Sequence, residues 1–171
     1  MKNQEKNSVR FIAISGVFIA LVYVFTAFVN IRLPLMANGG LVHLGNIPLF
    51  VCAIIFGKKS AAIAGGVGMA LFDIMSAWTI WAPFTFVIVG LMGFVMGMIV
   101  EKLPNYKGFI LGMSAALIIK IVGYYIAEII LYQNAIVPLS SIPGNLMQMV
   151  VAMVIVLPFA GQIAKLKKVL A

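Results

Sequence analysis

Hydrophobic positions along this chain form long unbroken runs instead of alternating with polar positions. The first run reads "VRFIAISGVFIALVYVFTAFV" and covers about the 20 residues that an α-helix needs to cross a bilayer. A membrane β-barrel would need strands in which apolar and polar residues alternate. Inside lipid a helix satisfies its own backbone hydrogen bonds. The pattern therefore predicts an all-α, polytopic membrane protein.

Six transmembrane helices are predicted within a single domain over residues 1–171. The second and third apolar runs are separated only by the short polar break "FGKKS", and a polar N-terminus precedes the first. That N-terminus has no clear small-residue cleavage site, so we expect the first helix to be retained. The predicted spans are Val9–Val29, Leu44–Phe56, Ser60–Ala77, Pro83–Val100, Gly108–Tyr132 and Ile142–Ile163.

The overall composition excludes a water-soluble fold of this length. Hydrophobic residues make up 64% of the chain, charged residues only 9%, and the mean hydropathy is +1.16. Soluble domains are about half apolar and about one quarter charged. A chain of 171 residues has too little interior to hide this apolar surface from water. Lipid is therefore the expected main solvent.

Basic residues are distributed unequally between the two sides of the predicted bundle. With six spans, eleven basic residues lie outside the spans or, like Arg10, at a span end; the side that carries both termini holds ten of them, and the other side holds Arg32. The positive-inside rule then predicts cytoplasmic termini in a multi-pass protein of the cell membrane. Topology also explains the net charge of +8 without a nucleic-acid partner. The ten residues are Lys2, Lys6, Arg10, Lys58, Lys59, Lys102, Lys107, Lys165, Lys167 and Lys168.

Charged residues inside the spans are costly in lipid and usually face the interior of a bundle. Lys120, Tyr124 and Glu128 follow i, i+4, i+8 spacing and should form one stripe on the fifth predicted helix. Lys120 and Asp73 are predicted to lie at similar depth, about 20 Å from the cytoplasmic edge. These two residues are therefore candidates for a pair across a shared interior.

Other polar and aromatic side chains also concentrate toward the predicted outer side. The inner halves of the spans are apolar or small, which indicates a pocket that opens outward and is closed below, not a pore. The candidate substrate-binding residues are His43, Asn46, Asp73, Trp78, Trp81, Lys120, Tyr124, Glu128, Asn145 and Gln148.

Structural roles are an alternative for each of these side chains. The tryptophans are typical membrane-interface anchors, and His43 suits a solvated loop. Asparagine and glutamine also cap helices or join them. The remaining alternatives are a purely structural Asp73–Lys120 pair, packing of Tyr124, and contact of Glu128 with lipid headgroups.

Small residues on the first helix indicate a surface for another helix. Gly16 and Ala20 form a small-xxx-small pair, which lets a partner helix approach closely. One histidine and one cysteine do not make a metal site, and no nucleophile–base pair is apparent. "FGKKS" lacks the first glycine of a phosphate-binding loop. We therefore expect neither metal, cofactor nor catalysis.

Two stretches resemble the substrate-binding S components of energy-coupling factor (ECF) vitamin transporters. They are "GNIPLFVCAIIFGKKSAAIAGGVGMALFDIMSAWTIWAPFTFVIVGLMGFVMGMI" and "SIPGNLMQ". The similarity covers about residues 9–164 and is greatest to the riboflavin-type branch.

The resemblance implies a six-helix protein that captures a vitamin from outside and has no ATPase of its own. It would dock on a transmembrane coupling protein, which works with two cytosolic ATPases. In this family small residues of the first helix face the coupling protein, and here Gly16 and Ala20 match them. The resemblance also implies that the first outer loop, about Asn30 to Asn46, is a lid over the pocket.

The mixture of rings, charges and amides suits a small heteroaromatic vitamin with a few fixed polar groups. Family analogy favours vitamin B6 or hydroxymethylpyrimidine, and riboflavin and pantothenate remain open. An autonomous secondary carrier is the main alternative function, although it would need polar residues through the inner halves of the spans. A membrane enzyme and a structural subunit without a ligand are further alternatives.

Overall fold

The structure is a computed structural model, and it describes residues 2–32 and 41–170. Six α-helices dominate it, joined by short 3-10 turns and one small antiparallel sheet in which Asn30 pairs with His43. The all-α prediction is confirmed. The main elements are α1 (Lys2–Phe28), β1 (Asn30–Arg32), β2 (Leu41–His43), α2 (Asn46–Met75), α3 (Ala82–Lys102), α4 (Tyr106–Tyr132), α5 (Ile142–Val156) and α6 (Ala160–Leu170).

Within the described ranges, five helical stretches are long and apolar enough to cross a membrane. This confirms a polytopic membrane protein. The last stretch joins α5 and α6 through a 3-10 turn, where the predicted sixth span lies. The stretches are Ser8–Phe28, Asn46–Met75, Thr79–Lys102, Tyr106–Tyr132 and Val137–Leu170.

The second stretch is broken at Gly57, inside the sequence "FGKKS". Gly57 has φ 79° and ψ −170°, a backbone conformation that is essentially restricted to glycine. A Cβ atom on Gly65 would lie 2.6 Å from Leu49 Cδ1. In a straight helix residues 16 positions apart would be about 24 Å apart. The two arms of α2 therefore fold back on each other, and they correspond to the predicted second and third spans.

The Gly57 bend is held by Glu101 near the end of α3. The Lys58 backbone amide donates a hydrogen bond to Glu101 Oε1 at 2.9 Å, and Lys58 Nζ donates to Oε2 at 2.9 Å. A carboxylate that accepts two such bonds neutralises the lysine and satisfies an exposed amide of the bend. Glu101 thus joins α3 to the α2 bend at the lysine-rich end of the bundle.

Close packing of α3 on the second arm of α2 depends on small residues. A Cβ atom on Gly93 would lie 2.5 Å from the Ala61 carbonyl oxygen, and one on Gly66 would lie 2.8 Å from the Phe86 carbonyl oxygen. Backbones can approach this closely only where side chains are absent. These glycines therefore bring α2 and α3 together as the centre of the core.

The first helix is attached to the bundle along one face only. Phe18 and Phe56 pack edge to face at 5.5 Å between ring centroids, and Val22 is fully buried against α2. The opposite face is exposed, and a Cβ atom on Gly16 would meet no atom within 4 Å. Gly16 and Ala20 consequently lie on an uncovered surface of α1.

Candidate functional site

A cavity of about 100 Å³ lies at the end of the bundle opposite the Gly57 bend. A single water molecule needs about 10–15 Å³ of such a cavity. The cavity therefore has room for one small ring with substituents. The cavity is lined by Thr26, His43, Met69, Phe72, Asp73, Trp78, Trp81, Thr85, Lys120, Tyr124, Glu128, Ser141, Gly144, Asn145 and Gln148.

Several helix ends meet at this cavity because α2 doubles back at Gly57. The end of its second arm brings Asp73, and the turn that follows brings Trp78 and Trp81. The C-terminal half of α4 supplies its polar stripe, and α5 supplies its first two turns. The sheet between α1 and α2 brings His43 to the wall. The site therefore combines segments far apart in sequence.

Lys120 is the cation of the cavity and is 1% exposed. Its Nζ atom donates a hydrogen bond to Gln148 Oε1 at 2.9 Å and lies 5.6 Å from the centroid of the Tyr124 ring. Among the described side chains, the ion pair is Lys58–Glu101, so Asp73 and Lys120 share the cavity without direct pairing. The predicted common interior is present, but the ammonium binds an amide instead of a carboxylate.

Two carboxylates face the same cavity as this lysine. Asp73 is 8% exposed, and its Oδ2 atom has no hydrogen-bond partner in the described structure. Glu128 is 2% exposed and lies two turns beyond Lys120 on the same face of α4. A buried carboxylate oxygen without a donor is costly. The site is thus suited to a ligand that brings N–H or O–H groups.

Aromatic rings form one wall of the cavity. The Trp81 ring centroid lies 6.4 Å from that of Tyr124 and 6.2 Å from that of Tyr132, with tilted planes. The Tyr124 hydroxyl is held at 3.1 Å from Thr85 Oγ1. Packed rings of this kind offer a rigid surface on which a flat ligand can stack.

His43 enters the cavity in one defined tautomer. The Gly45 backbone amide donates a hydrogen bond to His43 Nδ1 at 3.2 Å, so Nδ1 is the acceptor and the proton of the neutral ring lies on Nε2. Burial, together with the nearby Lys120 charge, lowers the pKa of His43 well below its usual value. The ring is therefore neutral near pH 7, with Nε2–H as its donor.

Nine of the ten predicted site residues line this one cavity, and Asn46 does not. Asn46 is fully buried at the start of α2, and neither atom of its amide group has a hydrogen-bond partner in the described structure. Asn145 is the fourth residue of α5 and does not cap that helix. Much of the proposed lid, residues 33–40, lies outside the described residues.

Sequence reasoning missed six lining residues. Thr26 and Thr85 are polar and lie toward the predicted outer ends of their helices, so the concentration of polar side chains on that side could have identified them. Met69 and Phe72 carry no polar signal that separates them from ordinary core residues. The six are Thr26, Met69, Phe72, Thr85, Ser141 and Gly144.

The chemistry of the cavity is that of binding. In the described part of the chain, no three His, Cys, Asp or Glu residues cluster closely enough to hold a metal ion. Among the described residues, the polar groups of the lining are one ammonium, two carboxylates, an imidazole, amides and hydroxyls around an aromatic wall. Small-molecule sites combine such a wall with a few placed polar groups.

Comparisons with known proteins relate this chain to vitamin and vitamin-precursor transporters. Residues 6–165 match the family described as the S component of the ECF-type riboflavin transporter. One relative, the thiamine precursor transporter HmpT of Lactococcus lactis subsp. cremoris (strain MG1363), is 25% identical over 158 residues, which are 91% of this chain and 88% of the relative. An uncharacterized protein of Pyrococcus woesei is 34% identical over 102 residues, 60% of this chain and 68% of that protein.

The fold also matches a solved structure, that of the S component of a bacterial ECF transporter. The TM-score is 0.70, with 16% sequence identity, over 96% of this chain and 99% of the solved one. At this identity the likeness concerns the fold alone. Because the family match spans nearly the whole sequence, this chain belongs to the family of ECF transporter S components, membrane-embedded substrate-binding subunits that have no catalytic activity themselves.

Proposed function

We propose that this chain is the S component that captures hydroxymethylpyrimidine, a precursor of thiamine, from outside the cell. The observation that carries the proposal is a cavity of about 100 Å³ whose lining combines aromatic rings with a carboxylate oxygen of Asp73 that has no hydrogen-bond partner in the described structure. The similarity to a thiamine precursor transporter supports the same substrate class. Nothing in the cavity or the comparisons specifically favours vitamin B6.

The groups of this ligand complement those of the cavity. Its flat pyrimidine ring stacks on the wall that Trp81 and Tyr124 form, and its exocyclic amine donates to the carboxylates of Asp73 and Glu128. Its ring nitrogens and hydroxymethyl oxygen accept hydrogen bonds from His43 Nε2–H and Lys120. Trp78, Asn145 and Gln148 complete the contacts. The Oδ2 atom of Asp73 then gains the hydrogen-bond partner that burial requires.

Delivery into the cell depends on partners. We propose six membrane crossings, with the two arms of α2 counted separately and both termini in the cytoplasm of a cell-membrane protein. The exposed α1 surface at Gly16 and Ala20 docks on a transmembrane coupling protein that is driven by two cytosolic ATPases. The segment from Asn30 to Asn46 closes over the bound ligand as a lid.

Intrinsic fluorescence tests the substrate directly, because both tryptophans of the chain line the cavity. We expect hydroxymethylpyrimidine to quench the fluorescence of the purified protein at lower concentration than pyridoxine, thiamine, riboflavin or pantothenate. Mass spectrometry of small molecules that co-purify from a vitamin-replete host is an independent measurement. Tighter binding of riboflavin or pantothenate would replace the proposed substrate and leave the family assignment intact.

Transport assays separate a binding subunit from an autonomous carrier. Liposomes that contain this chain alone should accumulate no hydroxymethylpyrimidine. Liposomes that also contain the coupling protein and the two ATPases should accumulate it when ATP is supplied. Uptake by the chain alone would favour a secondary carrier.

A further inference from the structure

We propose that a groove on the lipid-facing surface, at the end of the bundle opposite the cavity, holds one acyl chain of an anionic phospholipid, and that Lys107 and Lys165 bind its phosphate. The groove encloses about 540 Å³ between the start of α4 and the junction of α5 and α6. It is lined by Tyr106, Val150, Met153, Val154, Leu157 and Pro158. This inference requires only that the chain lies in a membrane and is independent of the vitamin.

The groove is apolar, and its one side-chain polar group is already engaged. The Tyr106 hydroxyl donates a hydrogen bond to the Pro158 carbonyl oxygen at 3.1 Å. That carbonyl lies in the 3-10 turn between α5 and α6, so the bond holds the two walls of the groove together. Because the side chains that line the groove have no unsatisfied polar group, the part of a ligand that enters it must be hydrocarbon.

Two cations mark the end of the groove where Tyr106 lies. Lys107 follows Tyr106 directly and is exposed. A Cβ atom on Gly161 would lie 3.4 Å from the Tyr106 ring, and Lys165, also exposed, is four residues further along the same face of α6. In the described structure the ion pair is Lys58–Glu101, and neither Lys107 nor Lys165 pairs with a carboxylate. The charge complements a phosphate placed at the mouth of the groove.

The side chains of the groove favour an acyl chain over a partner helix. Membrane helices associate closely through glycine, alanine and serine. Here the wall consists of larger side chains, including Met153, Val154 and Leu157, and α5 contributes little more than two turns, about 12 Å. The small-residue surface of this chain lies instead on α1, at Gly16. A flexible hydrocarbon chain follows such an irregular wall where a rigid helix does not.

Native mass spectrometry with an equimolar mixture of phosphatidylglycerol and phosphatidylcholine of the same acyl chains tests the proposal. We expect the wild-type protein to retain one phosphatidylglycerol with at least threefold preference. The double substitution Lys107→Gln and Lys165→Gln should abolish the preference. Lys59→Gln with Lys167→Gln should keep it, because both lysines are exposed and Lys167, two residues after Lys165, lies on a different face of α6. Equal retention of the two lipids by the wild type would overturn the proposal.

The hydrocarbon part of the site is tested separately. Val154→Trp should fill the groove and reduce retention of both lipids at least threefold, and Val150→Phe provides a second variant if the first does not fold. An unchanged melting temperature shows that the bundle is intact. Retention that is unaffected in a folded variant overturns the groove assignment. Efficient cross-linking of Val154→Cys to the coupling protein in assembled transporter would also overturn it, because a helix would then occupy the groove.

Discussion

Lys120 and Gln148, on α4 and α5, are joined by a 2.9 Å hydrogen bond inside the cavity. The bond connects the two helices, and the Lys120 ammonium lies 5.6 Å from the Tyr124 ring centroid. Asp73 lines the same cavity, and its Oδ2 atom has no hydrogen-bond partner in the described structure. The cavity thus holds a cation and an anion that form no ion pair with each other, and a bound ligand can contact both.

Removal of either charge should weaken ligand binding. We expect Asp73→Asn and Lys120→Met each to reduce affinity for hydroxymethylpyrimidine at least tenfold, which is about 1.4 kcal/mol. Each substitution removes a charged hydrogen-bond partner from a buried site. Tryptophan fluorescence titration measures the affinity.

Lys102→Met serves as the control for these charge changes, because Lys102 is exposed at the far end of α3. The control should bind as the wild type does. Wild-type affinity in both folded cavity variants would show that Asp73 and Lys120 have a structural role only.

Two substitutions of His43 distinguish its two nitrogens. His43→Gln places an amide NH₂ near the position of Nε2, so we expect it to lose less than threefold in affinity. His43→Asn reaches only to the position of Nδ1, which keeps the contact with the Gly45 amide but lacks the donor into the cavity. We expect the affinity of this variant for hydroxymethylpyrimidine to be at least tenfold lower in the same fluorescence titration. Equal affinities of the two variants would contradict the assigned donor.

The pH dependence of binding follows from the neutral state of His43. Its pKa in the folded protein lies below the ordinary value of about 6.5, so the ring carries no charge above that pH. His43 should therefore contribute no change in affinity between about pH 6.5 and 8. Below this window the unfolded chain takes up the proton more readily than the folded protein, and stability should fall.

The bend in α2 should depend on glycine at position 57. Gly57→Ala places a Cβ atom in a backbone region that only glycine adopts readily and against the Glu101 carboxylate. We expect a loss of about 1–3 kcal/mol in the free energy of unfolding. Unfolding in mixed detergent micelles measures it. Gly16→Ala is the matched control and should cause no loss, because a Cβ atom there meets nothing within 4 Å.

The exposed surface of α1 should affect transport without affecting binding. Gly16→Leu adds a large side chain where nothing in this chain is near, so fluorescence titration should give wild-type affinity. ATP-driven uptake in liposomes with the coupling protein and ATPases should fall severalfold, since a partner helix can no longer approach closely. Val122→Phe, at an exposed position of α4, should transport normally. Normal uptake by Gly16→Leu would remove the proposed docking surface.

The polar stripe on α4 shows how much of the site local sequence predicts. Lys120, Tyr124 and Glu128 share a face because helix periodicity requires it, and all three line the cavity. Asn46 shows the limit of such reasoning. Its place at the outer start of α2 suggested the site, but the rotation of that helix buries it away from the cavity wall. Rotation about the helix axis depends on all the neighbours of a helix.

The amino-acid sequence alone determined that this protein is helical, lies in a membrane and carries its polar groups at one end. Those properties follow from the free energy of transferring each segment from water to lipid, because the contributions of the residues add up along the chain. Only the tertiary structure decided that Lys120 bonds Gln148 instead of Asp73, that α2 folds back at Gly57, and that His43 presents Nε2. Such contacts join residues remote in sequence, and their geometry depends on how the helices tilt, rotate and pack together.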